Sequence, residues 1–270
     1  MDINLTVLND IPYGIHERQK ADIFIPEKAV NGSGIILFIH GGGWSDGDKT
    51  VHHEDCRHFC NLGYICASMN YRFVTEDLSI FDELDDITAA LDAIKSKCAE
   101  YGFNISRIIL SGGSAGAHLA LMYAYTRAEQ VPIVPVAVCA YCPPVSCSKS
   151  DFLLGISGEF EDWKYSVLSK CCGVSLNKAD FMNGIQQRAL KSISPEEYVC
   201  SSCIPTAVFC GKNDELVPVE HIMNFICMLN KAGVKNDLLV YENSGHALDK
   251  NPETAIQAKA IIKNYAEMYF

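Results

Sequence analysis

The stretch LSGGSAGAHLA, Leu110 to Ala120, decides how the rest of the chain is read. The apolar run RIIL (107–110) precedes it, and AHLALMYAY continues from it as an apolar helix. Ser114 stands between Gly112 and Gly116. A tight strand-to-helix turn drives its apical residue toward positive φ, and side chains two positions away would strike neighbouring backbone. G-x-S-x-G meets both demands. Such a turn holds the Ser114 hydroxyl above a sheet, at the positive end of a helix. Ser114 is therefore a candidate nucleophile. Read alone, the motif also fits a glycine-rich turn at a nucleotide site.

Outward from this turn, short apolar runs recur at 34–40, 64–71, 106–112, 134–141, 205–211 and 237–242. Their near-continuous apolarity predicts strands buried on both faces. Helical patterns separate them. In 80–99, Leu84, Ile87, Leu91, Ile94 and Cys98 recur at spacings of three and four, and acidic residues load the first turns. Segments 218–232 and 252–269 each open near a proline. Alternation of this kind predicts an α/β fold: a mostly parallel central sheet with helices on both faces. The early runs NLTVL and ADIFIP predict an antiparallel edge pair.

Residues 143–200 interrupt the alternation. They are too long for a loop, and they carry helical patterns at Phe160–Ser169 and Lys178–Leu190. The expectation is one domain, 1–270, with 143–200 as a cap-like helical insertion before the acid-bearing strand.

A serine hydroxyl needs a base, and the base needs an orienting carboxylate. Both should follow at later strand ends, carboxylate first. Asp214 lies just past the strand ending at Gly211, with Glu215 as runner-up. An Asp here could equally cap the helix that starts near Pro218. His246 follows the last strand, in NSGHALD. His118, one turn past Ser114, is expected to pack at the helix surface. His16, His52, His53, His58 and His221 are read as surface or packing residues. The loop HGGGWSDGDK (40–49) follows the first long strand. Its Gly42 and Gly43, with Ala115, can aim backbone N–H groups at a developing oxyanion.

The formal net charge of −11 argues against nucleic acid and anionic membrane surfaces as partners. No run is apolar enough for a membrane span, and the N-terminus reads as no signal peptide. Most of the 13 cysteines sit inside apolar runs, which suggests a reduced, cytoplasmic protein. Two C-x-x-C pairs, Cys139/Cys142 and Cys200/Cys203, could supply four zinc ligands. They fall at opposite ends of adjacent predicted strands, so packing is preferred and no metal is expected.

Taken together, these motifs resemble the α/β-hydrolases. Within them they resemble carboxylesterases with an HGGG oxyanion motif, related to hormone-sensitive lipase and to bacterial acetyl-xylan and feruloyl-type esterases. The matching residues are His40 to Trp44, Gly47-Asp48-Lys49, Asn70-Tyr71-Arg72, Gly112 to Leu119, Gly211 to Pro218 and Ser244-Gly245-His246. The resemblance implies an acyl-enzyme mechanism and no cofactor. Ser114 would be the nucleophile, His246 the base and Asp214 its orienter, with Gly42, Gly43 and Ala115 as the oxyanion hole. His40 would hold the loop, and Trp44 would pack it or line the substrate pocket. Gly113 departs from lipase-like relatives, which often carry Asp there.

The expected substrate is a small ester with a short acyl group, acetyl first, and carbohydrate esters among the candidates. GSAGAHLA also resembles kynurenine formamidase, which leaves amide or peptide hydrolysis on the same triad as an alternative. A non-catalytic binding protein of this fold is the remote one. The sequence leaves a homo-oligomer open.

Overall fold

Strand β3 (Gly34–Ile39) shows why its sequence is apolar without alternation. Ile35, Leu37 and Ile39 enter one buried cluster, whereas Ile36 and Phe38 enter another on the opposite face. Strand β5 (Arg107–Gly113) divides the same way, Ile108 and Leu110 against Ile109. Both faces are covered, so both must be apolar. Each fully buried Ile, Leu or Phe contributes about 1.5–3 kcal/mol.

The computed structural model describes residues 5–30, 32–127, 131–152, 156 and 161–270. Its eight-stranded sheet runs β1-β2-β4-β3-β5-β6-β7-β8. The remaining strands are β1 (Leu5–Pro12), β2 (Lys20–Pro26), β4 (Ile65–Met69), β6 (Val134–Tyr141), β7 (Thr206–Gly211) and β8 (Asn236–Tyr241). β1 pairs antiparallel with β2, and β2 antiparallel with β4. From β4 to β8 every pairing is parallel. This is the fold of the α/β-hydrolases, with the expected antiparallel edge; Asn4 of the first run lies outside the described residues.

Helices α2 (Ile80–Glu100), α3 (Ala115–Thr126) and α7 (Val219–Lys231) cover one face. Helices α1 (His53–Asn61) and α8 (Pro252–Tyr269) cover the other. α2 starts at a capping box: Ser79 Oγ accepts from Phe81 N at 3.3 Å, and Asp82 Oδ2 accepts from Ser79 N at 2.8 Å. Among the described residues no helix is long and apolar enough to cross a membrane.

Between β6 and β7 lie α4 (Glu161–Cys172), α5 (Lys178–Met182) and α6 (Gln187–Ser192). Phe160, the expected start of the first helix, lies outside the described residues. The single helix expected over Lys178–Leu190 is two short ones. Gly184 at φ 70° and Gln186 at φ 62° break it, because a left-handed residue cannot continue a right-handed helix.

Candidate active site

Three side chains from three separate crossovers meet at the C-terminal edge of the parallel strands. Ser114 follows β5, Asp214 follows β7 and His246 follows β8. Ser114 Oγ lies 2.9 Å from His246 Nε2, and His246 Nδ1 lies 2.8 Å from Asp214 Oδ2. Asp214 Oδ1 accepts the N–H groups of Leu216 and Val217, each at 2.9 Å. Burial alone would push the Asp214 carboxyl up. The hydrogen bond and charge of His246 and the two backbone donors outweigh it and hold the group below its ordinary value. An ionised Asp214 accepting from Nδ1 leaves Nε2 as the acceptor for the Ser114 hydroxyl. Glu215 is exposed and does not bond His246.

The turn at Ser114 is enforced by contact. A Cβ at Gly116 would sit 2.0 Å from Ile39 O, and one at Gly112 2.5 Å from the same oxygen. Ser114 adopts φ 53°, ψ −120°, a conformation that costs a non-glycine residue on the order of 1–3 kcal/mol. Its N–H donates to Tyr141 O at 2.8 Å, and its carbonyl accepts from His118 N at 2.9 Å. Those two bonds tie the strained residue to β6 and α3. Gly113, by contrast, faces open space: a Cβ there meets nothing within 4 Å.

The HGGG loop crosses beside this turn. Gly42 takes φ 115°, and a Cβ on it would lie 2.1 Å from Asp46 O. Among the described residues, no acceptor takes the N–H of Gly42, Gly43 or Ala115. Trp163, from α4, lies against Gly43, where a Cβ would come within 2.7 Å of its ring.

His40 fixes the loop from behind. Its Nδ1 bonds Gly41 O at 2.7 Å, its Nε2 lies 3.2 Å from Arg18 Nη2, and its ring stacks on Tyr71 at 4.3 Å. Because Nε2 accepts from the guanidinium, Nδ1 carries the proton. Burial lowers this imidazole to about 4, so it stays neutral. Arg18 also donates to Gly47 O at 3.0 Å. Nothing in the local sequence around Arg18 signals this tie, because its partners lie at 40 and 47.

The GDK and NYR motifs meet each other. Asn70 bonds Asp48 Oδ2 at 2.8 Å and Lys49 N at 2.6 Å, Lys49 Nζ pairs with buried Asp22 at 2.8 Å, and Arg72 pairs with Asp86 at 2.8 Å.

Several expectations need correction. Trp44 does not line the cavity: it is 2% exposed, and its indole N–H donates to His118 Nδ1 at 3.1 Å. A positive φ of 59° turns it inward. His118 is not on the helix surface. It is fully buried, and its Nε2 donates to Ile193 O at 2.7 Å, bridging the HGGG loop to the β6–β7 connection. Burial lowers it to about 4. His221, by contrast, is buried and bonds Asp151, in keeping with a packing role. His52, read as a surface or packing residue, lines the cavity beside Ser114.

That cavity, about 420 Å³, opens onto Ser114 and His246. Val51, Tyr141, Cys142, Tyr241, Leu248 and Ala255 give it apolar walls. A polar group completes its lining: Asp55 bonds His52 Nδ1 at 3.1 Å and Lys259 Nζ at 3.1 Å. Burial would raise Asp55, but the bond from His52 and the charge of Lys259 hold it below its ordinary value. α1, with His52 just before it, and α8 bring these residues together, Asp55 and Lys259 being 204 positions apart (259 − 55), so no local pattern announces them.

The BD-FAE family model matches residues 21–229. A protein of Arabidopsis thaliana named "Probable isoprenylcysteine alpha-carbonyl methylesterase" is 26% identical over 251 residues, covering 89% of this chain and 51% of the relative. A Mycobacterium tuberculosis protein named "Probable carboxylic ester hydrolase LipM" is 28% identical over 278 residues, covering 96% of this chain and 61% of the relative. The chain thus spans about half to three-fifths of the length of these curated relatives. Among solved structures, esterase B from Lactobacillus rhamnosis superposes with a TM-score of 0.76 at 19% identity, covering 97% of this chain and 85% of that one. At that identity the likeness concerns the fold.

Proposed function

The chain belongs to the BD-FAE family, and from that premise we propose that it is a serine carboxylesterase working through an acyl-enzyme. One observation carries the reading: a relay from Ser114 Oγ through His246 to Asp214 with links of 2.9 and 2.8 Å. His246 Nε2 takes the Ser114 proton as Oγ attacks the ester carbon. Asp214 holds the resulting imidazolium without taking its proton. The carbonyl oxygen becomes an anion facing the N–H groups of Gly42, Gly43 and Ala115, each such donor being worth roughly 10²–10³ in rate. His246 then protonates the leaving alcohol. Water, activated by the same imidazole, releases the acid and restores Ser114.

The cavity bears on the substrate. Apolar walls of limited extent suit a short acyl group, acetyl first. The Asp55 carboxylate accepts and Lys259 donates, so this polar part of the lining matches hydroxyl groups, which do both. This supports an ester of a hydroxylated alcohol such as a sugar. No metal or cofactor enters any step.

The test is a chain-length series of p-nitrophenyl esters alongside acetylated sugars, with Ser114→Ala as control. Wild-type activity in that variant, or no labelling of the native protein by a fluorophosphonate, removes the reading. An arm with N-formylkynurenine and amino-acid arylamides tests amide chemistry, and faster turnover there than on any ester overturns the ester assignment.

A further inference from the structure

Of the two C-x-x-C pairs in the sequence, Cys139/Cys142 is buried, and Cys200-Ser201-Ser202-Cys203 is the accessible one that this function leaves unused. It forms a turn just before β7, closed by Cys203 N–H donating to Cys200 O at 3.1 Å. The two sulfurs lie 3.8 Å apart. A turn closed by such a bond holds its first and fourth Cα atoms within about 7 Å, close to the separation that a disulfide spans.

The two thiols are unlike. Cys200 is exposed, and its sulfur lies 3.1 Å from Ser202 Oγ. Hydrogen bonds from the Ser202 hydroxyl and nearby backbone N–H groups favour its thiolate and pull it below the ordinary thiol value. Cys203 is half-buried, accepts from Cys200 N at 3.3 Å, and is pushed up to about 11 by burial. Nine other cysteines are buried in the core, Cys172 is partly covered, and Cys227 is exposed. Cys200 and Cys203 thus combine an accessible nucleophile with an adjacent, sheltered second sulfur, the arrangement that closes a disulfide in two steps.

We propose that Cys200 and Cys203 form a dithiol–disulfide pair that exchanges with low-molecular-weight disulfides. The Cys200 thiolate attacks one sulfur of RSSR, forming Cys200–S–S–R and expelling RS⁻. The Cys203 sulfur then attacks the Cys200 sulfur, breaks that mixed bond and expels a second RS⁻. The two protons lost by the protein end on the two thiolates. The protein dithiol is oxidised by two electrons, and RSSR is reduced to two RSH. Asp214 follows the other end of β7, so ring closure leaves the triad in place.

The test equilibrates the folded protein with glutathione and glutathione disulfide, then reads each cysteine by differential alkylation and mass spectrometry. The expected result is joint protection of Cys200 and Cys203, with the loss of two hydrogen masses from their shared peptide, while Cys227 gains at most one glutathione. Cys203→Ser should trap glutathione on Cys200. With iodoacetamide at neutral pH, Cys200 should react faster than Cys227. The proposal is overturned if Cys200 reacts no faster than Cys227. It is equally overturned if the wild type accumulates the Cys200 mixed disulfide without ring closure, or if both thiols stay alkylatable in excess glutathione disulfide.

Discussion

Asp214→Asn removes one charge and almost no volume, which makes it the sharpest probe of the relay. In the native site Asp214 Oδ1 is held by two backbone N–H groups at 2.9 Å, and Oδ2 accepts His246 Nδ1–H at 2.8 Å. An Asn keeps its carbonyl oxygen on the two backbone donors, since its NH₂ cannot accept from them. The NH₂ then faces His246 Nδ1, and that nitrogen must become an acceptor. The ring proton moves to Nε2, which lies 2.9 Å from Ser114 Oγ. A protonated Nε2 cannot receive the serine proton, and the carboxylate that stabilised the imidazolium is gone. The analogous change in the serine-protease triad costs about 10⁴ in kcat, equivalent to about 5.5 kcal/mol of barrier. The cost should appear in kcat, with KM nearly unchanged, because Asp214 does not line the substrate cavity. The assay is steady-state hydrolysis of p-nitrophenyl acetate near neutral pH, with circular dichroism to show retained fold. Glu215→Gln serves as a control and should keep the wild-type rate. An Asp214→Asn enzyme within about tenfold of wild type would refute the tautomer argument.

Gly116→Ala should unfold or strongly destabilise the protein, by about 3 kcal/mol or more, since its Cβ would sit 2.0 Å from Ile39 O; Gly113→Ala, facing open space, should melt within a few degrees of wild type. Gly42→Ala should lower kcat by about 10²–10³, because relieving its 2.1 Å clash with Asp46 O re-aims the loop N–H groups. Lys259→Ala and Asp55→Asn should raise KM for acetyl sugars several-fold relative to p-nitrophenyl acetate, and an equal change on both substrates would show that the polar group does not sort alcohols. Buried His40 and His118 titrate at about 4 in the folded chain against 6.5 ordinarily, so the unfolded chain binds more protons between those values. Their contribution is fully present above pH 6.5 and is lost as pH falls toward 4, by at most about 1.4 kcal/mol per pH unit for each. Melting temperature should therefore drop through that window, and His118→Gln should flatten the drop. Asp48, held at about 2 against 3.8 by its bonds to Thr50 and Asn70 despite partial burial, adds a second loss below pH 4.

The parallel strands were legible because a strand covered on both faces must be apolar at every position, as 35–39 and 108–110 are. The edge pair and the broad helices followed from the same periodicity. The expected helix over Lys178–Leu190 divides at two left-handed residues; Gly184 is visible as a glycine, but Gln186 leaves no compositional trace. His118 was misplaced, and packing and pocket-lining stayed open for Trp44, for a related reason: a polar aromatic on a loop or apolar helix can face either way, and only a partner decides. Here each is the other's partner, and Ile193 O is the third member.

By itself the amino-acid order determined which residues lie at strand ends and which glycines a tight turn demands, because both are local matters of sterics and hydrophobic period. Ser114, Asp214 and His246 could be nominated on that basis. Only the tertiary structure decided that Arg18 clamps the HGGG loop, and that His52, Asp55 and Lys259 form one polar group in the cavity lining. These are contacts between elements far apart in the chain. Their geometry is set by how α1, α8 and the loops pack on the finished sheet, a property that no short window of sequence contains.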